Sequence, residues 1–104
     1  MEAVFDRSGE LSPRARAFEL RARLVDRVRA LLVDDLSVRL PAEAIDPDAP
    51  LFNVGVGLDS VDAIELAFAI ERTFGVTLPE GEAFGDAARS VNRIVDQLVA
   101  RGVQ

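Results

Sequence analysis

Asp59 and Ser60 are adjacent residues whose types could support chemistry, and they lie in the segment GVGLDSV at residues 55–61. Asp and Ser are both favoured N-caps, so either side chain could satisfy a free backbone N–H at the start of a helix. A second interpretation is chemical, because a phosphate esterified to Ser60 would lie at the positive end of the helix dipole, which favours an anion. Gly55 and Gly57 would let the active site of another protein approach the backbone closely.

The composition argues against independent catalysis. The 104-residue chain contains no His, Cys, Tyr or Trp, and all 12 of its basic residues are Arg. Without His, Cys or Lys, it lacks the side chains that most often exchange protons near neutral pH, and a Ser–His pair, Schiff-base chemistry and a P-loop lysine are excluded. The absence of Cys also excludes disulfides and thiolate metal sites. We therefore expect no enzyme, with a small hydrolase disfavoured, and any reaction at Ser60 must be driven by a partner.

The length and hydropathy predict one small globular domain. Apolar residues make up 49% of the chain and charged residues 29%, which is an ordinary globular balance. No apolar run is long enough to span a membrane, and the N-terminus lacks a signal-peptide pattern. We expect a soluble, monomeric protein of the cytoplasm.

The negative charge is concentrated in the middle third of the chain. Residues 41–71 contain seven acidic residues and no Arg, a balance of −7, whereas residues 1–40 carry +1 and residues 72–104 carry zero. A concentrated anionic patch repels nucleic acid and favours docking to basic surfaces of partner proteins. The acidic stretch DPDAP at residues 46–50 lacks the alternating ligands and closing Glu of an EF-hand, so we predict no metal site.

The pattern of caps, breakers and apolar spacing predicts an all-α fold. It is a small four-helix bundle with a long loop between helices 1 and 2 and a short third helix. Helix 1 is predicted to begin at Ser12–Pro13 and to end near Asp35, and the loop over residues 37–58 is predicted to be pinned to the core by Leu51 and Phe52. Helix 2 is predicted over Asp59–Phe74, with Gly75 ending it, and helix 3 over residues 81–88. Helix 4 is predicted to begin after the cap Ser90 and to end at Arg101 and Gly102. We expect residues 1–11 to be a flexible N-terminal extension and residues 12–104 to be the domain.

The first and last helices have apolar residues at helical spacing. The predicted stripes are Phe18, Leu20, Leu24, Val25, Val28, Leu31 and Leu32 in helix 1, and Val91, Ile94, Val95 and Leu98 in helix 4. Helix 1 also carries six Arg between positions 14 and 29. These arginines are either a solvated face or a partner surface.

The second helix has two apolar faces on a helical wheel. One face, predicted to pack on the other helices, contains Ala63, Leu66, Ala67, Ile70 and Phe74. On nearly the opposite side Val61, Ile64 and Phe68 are interleaved with Asp62, Glu65 and Arg72. This second face is either a set of scattered surface residues, a face covered by another segment, or a docking stripe with an apolar centre and an acidic rim.

The run GLDSVDAIELAFAIERTFGVTLPE at residues 57–80 resembles the signature of acyl carrier proteins, the phosphopantetheine-binding carrier family. The family's hallmark is a Gly-x-Asp-Ser-Leu motif that opens an acidic helix. The resemblance implies that Ser60, beside Asp59, carries 4′-phosphopantetheine, attached through a phosphodiester by a transferase that takes it from coenzyme A. The thiol of the arm would hold an acyl group as a thioester, and the core-facing residues would line a cleft for the acyl chain. Partner enzymes would recognise Val61, Asp62, Ile64, Glu65 and Phe68.

Three departures from the common pattern favour a specialised carrier at least as much as one for fatty-acid synthesis. Val61 stands where Leu is usual, Arg72 stands where an acid is common, and the stretch between Pro79 and Ser90 is about two residues longer. The partners implied are a phosphopantetheinyl transferase and the acyl-loading and acyl-processing enzymes of fatty-acid, specialised-lipid or polyketide-type synthesis. The alternative is a non-covalent helical adaptor that uses the same stripe, with Ser60 only a cap.

Overall fold

A computed structural model describes residues 9–104, and these residues form four helices. They are α1 (Pro13–Asp35), α2 (Ser60–Phe74), α3 (Glu82–Ala87) and α4 (Val91–Ala100), with one 3-10 turn at Ala42–Ala44. Within the described range, β-structure is limited to isolated bridges such as that between Phe52 and Leu58. The predicted all-α bundle is therefore confirmed. No helix in residues 9–104 is long and apolar enough to cross a lipid bilayer.

Side-chain caps set the starts of α1 and α4 where the sequence predicts them. Ser12 Oγ accepts a hydrogen bond from the Ala15 N–H at 3.2 Å, and Pro13 occupies the first turn of α1. Ser90 Oγ accepts one from the Arg93 N–H at 3.2 Å at the start of α4. Each cap satisfies a backbone donor that has no partner within its helix. The same hydrogen bond gives the buried hydroxyls of Ser12 and Ser90 a partner.

The beginning of α1 differs from the prediction. Phe18, assigned to the apolar stripe, is 77% exposed. Residues 13–19 contain no buried side chain, and the predicted stripe positions Leu20 and Val25 are half-buried. The buried side chains of α1 are Leu24, Val28, Leu31 and Leu32. The spacing of Phe18 fits a helix face, but the core begins further along that face. The sequence predicts an N-terminal extension over residues 1–11. Its first eight residues lie outside the part of the chain that the structure describes.

The core is formed by aliphatic side chains from α1, α2, α4 and the long loop. All four predicted α4 positions are fully buried, which confirms that stripe. In α2, Leu66 and Ile70 are buried as predicted, Ala69 is buried in addition, and Ala63, Ala67 and Phe74 are only half-buried. The other fully buried large side chains are Leu24, Val28, Leu32, Ile45 and Leu51.

The loop between α1 and α2 is pinned to this core, as the sequence predicts. Ile45, Leu51 and Leu58 are buried along it, and Arg29 Nε of α1 donates to the Ile45 carbonyl at 2.8 Å. The Leu58 N–H donates to the Leu51 carbonyl at 2.8 Å, which closes the loop immediately before α2. The chain therefore enters α2 from a fixed point.

Packing contributes more than charge to the contact between α1 and α4. Arg21 of α1 forms an ion pair with Asp96 at 2.8 Å and donates to the Asn92 carbonyl at 3.2 Å, but both charged side chains remain partly exposed. An exposed pair of this kind contributes about 0–1 kcal/mol. Complete burial of one large aliphatic side chain contributes roughly 1.5–3 kcal/mol, so the α4 stripe dominates.

Neighbouring residues of α4 give a matched test of this packing. Leu98→Ala should lower the free energy of unfolding by about 2–5 kcal/mol, because Leu98 is fully buried and its removal leaves a cavity. Val99→Ala, at a side chain that is 43% exposed, should change it by less than about 0.5 kcal/mol. Urea unfolding followed by circular dichroism measures both, and equal losses would contradict the assignment of the core.

Candidate functional site

Asp59 and Asp62 cap the entrance of α2 with two reciprocal hydrogen bonds. Asp59 Oδ1 accepts from the Asp62 N–H at 2.9 Å, and Asp62 Oδ2 accepts from the Asp59 N–H at 2.9 Å. This is a capping box with Asp in the third helical position, where Glu or Gln is usual. Of the two capping interpretations, the structure therefore selects Asp59 as the cap. Ser60 is the first residue of the helix itself.

Ser60 has an accessible side chain. It is exposed, and its hydroxyl makes no hydrogen bond to any residue in the range 9–104. Four serines lie in this range, and two of them, Ser12 and Ser90, are buried caps. Ser37 and Ser60 are the exposed ones. An incoming enzyme can therefore reach the Ser60 side chain. The carrier role that the resemblance implies requires this access.

The charge state of Asp59 follows from the same hydrogen bonds. The backbone N–H of Asp62 is the main cause that lowers the pKa of the Asp59 carboxyl, and desolvation opposes it. A hydrogen bond from the Val61 N–H lowers the pKa of Asp59 further. A carboxylate stabilised in its ionised form is a poor proton acceptor. Asp59 is therefore suited to hold the helix end and unsuited to activate the neighbouring hydroxyl.

This lowered pKa predicts how the cap responds to acid. Asp59 stabilises the fold fully above its unfolded-state value of 3.8, and this contribution is lost as the pH falls below 3.8 through the lower folded-state value. Asp59→Asn keeps a capping oxygen but cannot titrate. The difference in the free energy of unfolding between wild type and Asp59→Asn should therefore shrink as the pH falls below 3.8. A difference that is constant with pH would contradict the role of the ionised cap.

The two glycines before the site have different roles. Gly55 has a φ of 66°, and a Cβ there would collide with the Pro50 carbonyl oxygen, so the fold itself requires glycine at this position. Gly57 has a φ of 83° and open space where a Cβ would project. Gly57 therefore leaves room for close approach from outside, as the sequence suggests for both glycines.

The outward face of α2 is an exposed apolar stripe. Val61, Ile64 and Phe68 are each about 60% exposed, at 61%, 60% and 62%. The interpretation that another segment covers them is thus excluded for residues 9–104. Arg72, further along α2, forms an ion pair with Asp35 of α1 at 3.4 Å.

The two acids that the sequence places beside the stripe do not lie in equivalent environments. Glu65 is exposed, whereas Asp62 is half-buried. Asp62 borders a hollow between the end of α1 and the loop, together with Leu36, Val38, Gly55 and Leu58. The helical wheel places Asp62 about 100° from Val61 but cannot show which neighbour it faces. The spacing Asp59-x-x-Asp62 is the signal that could have revealed its capping role.

A groove of about 420 Å³ runs between α2, the following link and α3. Ala63 and Ala67 form its α2 floor with Ile64 and Phe68, and Phe84 of α3 forms part of the opposite wall. Phe84 is held by an edge-to-face contact with Phe52, with 6.2 Å between ring centroids. Leu66 and Ile70, which were also expected to line a cleft, are sealed in the core. The remaining lining residues are Glu71, Thr77, Leu78, Pro79, Glu80 and Gly81.

Comparison with known proteins identifies the family. Residues 26–98 match the family model described as a phosphopantetheine attachment site. The chain is also 33% identical over 76 residues to an acyl carrier protein of Thermosynechococcus vestitus, an alignment that covers 73% of this chain and 88% of that protein. The chain belongs to the acyl carrier protein family.

Membership of the acyl carrier family settles the general role. The protein is a carrier and not an enzyme, and its prosthetic group is covalently attached 4′-phosphopantetheine. The family match includes the whole of α2, α3 and the loop before α2, but it begins within α1. The first half of α1, with the exposed Phe18, therefore lies outside the residues that match the family model.

Proposed function

We propose that Ser60 is the attachment point for 4′-phosphopantetheine and that the protein presents acyl thioesters to partner enzymes. One observation carries this proposal: the Ser60 hydroxyl is exposed and unbonded at the first position of α2, in a chain of the acyl carrier family. The attached group supplies a terminal thiol that holds an acyl group as a thioester. The residues around Ser60 fit this group because they leave the hydroxyl free.

The attachment is a transfer from coenzyme A to the Ser60 oxygen. Ser60 Oγ forms a bond to the phosphorus that bears the pantetheine, and the pyrophosphate bond of coenzyme A breaks. The adenosine nucleotide leaves, and the hydroxyl proton passes to a base. Asp59 and Asp62, the neighbouring carboxylates, already accept hydrogen bonds from backbone N–H groups. We infer that the transferase supplies the base.

The groove between α2 and α3 is the proposed resting place for the arm and its cargo. It begins one turn beyond Ser60 at Ala63 and continues to Ala67, whose small side chains leave space above the helix. Ile64 and Phe68 add apolar surface along one edge. Because Leu66 and Ile70 of α2 are fully buried and do not line the groove, we propose that the chain lies along the surface of α2.

We propose that partner enzymes dock on the outward stripe of α2. Val61, Ile64 and Phe68 form its apolar centre and Glu65 is an exposed charge beside them. Asp62, the remaining residue of the predicted surface, lies at its edge, with its carboxylate engaged by the Asp59 N–H. An apolar centre with charge at its rim is the usual anatomy of a protein interface. Steering by the acidic residues makes the encounter fast and salt-sensitive.

The proposed setting is fatty-acid, specialised-lipid or polyketide-type synthesis, with a dedicated carrier of a specialised-lipid or polyketide-type pathway favoured at least as much as the carrier of fatty-acid synthesis. Arg72 supports a specialised carrier, because its guanidinium and its ion pair with Asp35 replace the acidic character expected at the end of α2. A flexible covalent arm raises the effective concentration of the acyl group at each partner's active site. The order of partners then depends on which enzymes recognise the stripe.

Intact mass spectrometry tests the attachment. Co-expression with a broad-specificity phosphopantetheinyl transferase should add the mass of one phosphopantetheinyl group to wild type. Ser60→Ala should abolish the addition, whereas Ser37→Ala, at the other exposed serine of residues 9–104, should leave it unchanged. A wild type that remains unmodified would instead support the non-covalent adaptor.

Two exposed phenylalanines test the docking stripe. Phe68→Ala should lower kcat/KM for modification by the transferase about threefold to tenfold, because aromatic residues often dominate interface energetics. Phe18→Ala, at a side chain of α1 that is 77% exposed, should leave it unchanged. Neither change should lower the melting temperature appreciably, because neither side chain is buried. Equal effects on turnover would contradict a stripe confined to α2.

A further inference from the structure

We propose that Asp62 is a positioning residue for Ser60, acting through the backbone of Asp59 rather than as a charge offered to partner enzymes. The inference rests on the proposed attachment at Ser60 and adds a residue that determines how the hydroxyl is presented. It also gives different roles to two neighbouring acids of α2, Asp62 and Glu65.

The location of Asp62 separates it from the docking stripe. Its side chain is half-buried beside the end of α1 and the loop before α2. The centre of the stripe, represented by Ile64, is 60% exposed. A partner that lies flat on the stripe therefore meets Glu65 directly and Asp62 only at the edge.

The hydrogen bonds of Asp62 determine what its carboxylate does. Oδ2 accepts from the Asp59 N–H at 2.9 Å, while the Asp62 N–H donates to Asp59 Oδ1 at 2.9 Å. These two bonds join residue 59, which precedes Ser60, to residue 62, which follows it. Glu65 makes no hydrogen bond or ion pair within the described part of the chain, so it carries the same charge without this constraint.

A second constraint fixes the chain just before Ser60. The Leu58 side chain is buried, its N–H donates to the Leu51 carbonyl at 2.8 Å, and its carbonyl accepts from the Asn53 N–H at 3.1 Å. Residue 58 is therefore held by the loop, and residue 59 is held by Asp62. Ser60 is the next residue, so these two constraints define the direction in which its side chain projects from the helix.

Loss of the Asp62 carboxylate should release one of the two constraints. The Asp59 N–H would lose its acceptor, and the first turn of α2 would open more often. A transferase needs the hydroxyl oxygen at a defined distance and angle from phosphorus, so a more mobile serine reacts more slowly once bound. The expected signature is a lower kcat with little change in KM. Loss of a docking charge has the opposite signature, a higher KM.

Three variants distinguish positioning from docking. Asp62→Ala removes the charge and the acceptor, Asp62→Asn removes the charge but keeps an oxygen that can accept from the Asp59 N–H, and Glu65→Gln removes a charge that makes no hydrogen bond. Purified apo-protein is modified with a broad-specificity transferase and coenzyme A, and kcat and KM are measured separately. Hydrogen exchange of the Asp59 amide, followed by NMR, reports the constraint without any enzyme.

Asp62→Ala should lower kcat about threefold to tenfold, the range implied by loss of one capping interaction, and should accelerate exchange of the Asp59 amide by a similar factor. Asp62→Asn should keep both quantities within about twofold of wild type, because the capping acceptor is retained. Glu65→Gln should raise KM and leave exchange unchanged.

An equal increase in KM in Asp62→Ala and Asp62→Asn would overturn the proposal, because it would show that Asp62 acts as a charge on the docking surface. Unchanged exchange of the Asp59 amide in Asp62→Ala would also overturn it. Asp62→Asn keeps the test decisive if Asp62→Ala unfolds, because a large loss of kcat in the folded Asn variant contradicts positioning through the hydrogen bond. A wild type that accepts no phosphopantetheine contradicts the proposed function instead, and amide exchange still decides whether Asp62 constrains residue 59.

Discussion

The reciprocal hydrogen bonds between Asp59 and Asp62 satisfy the start of α2 without using the hydroxyl between them. The first N–H groups of any helix lack intrahelical partners, and Ser is as good a cap as Asp. If Ser60 were the cap, its oxygen would be engaged with the backbone of its own helix. Because Asp59 takes this role, Ser60 moves one position into the helix and keeps its oxygen exposed. The accessibility of the site therefore depends on which of two adjacent residues caps α2.

The packing surface and the proposed docking surface lie on different faces of α2. Leu66 and Ile70 are fully buried on one face, and each contributes roughly 1.5–3 kcal/mol through burial. Ile64 and Phe68 on the other face contribute little to folding because most of their surface remains in water. The outward face can therefore vary to suit different partners while the inward face keeps the helix in place. A carrier that visits several enzymes benefits from this separation.

Local signals in the sequence were sufficient for the helices and insufficient for the neighbours of particular side chains. Ser12 and Ser90 mark helix starts because a cap acts within four residues, and the α4 stripe is buried because the whole helix lies on the core. Phe18 has the right spacing but lies in turns of α1 that bury no side chain. Periodicity defines a face and not the length over which that face has neighbours.

The entrance of α2 shows the same limit at the level of the site. Asp59 and Ser60 have nearly equal capping preferences, so only the geometry selects between them. The groove combines side chains from α2, the link after it and α3. Its shape depends on how three segments pack, which spacing within any one of them does not specify.

The acidic residues of the middle third of the chain differ in their surroundings in the folded protein, although they form one cluster along the sequence. Residues 41–71 carry −7, yet several of these carboxylates have structural hydrogen bonds. Asp46 accepts from the Asp48 N–H, and Asp48 accepts from the Asn92 side chain of α4. With Asp59 and Asp62 engaged at the helix start, Glu65 is the exposed acid nearest the centre of the stripe. In the proposed docking, net charge would therefore attract a basic partner at a distance, and the exposed apolar side chains of α2 would supply most of the contact energy.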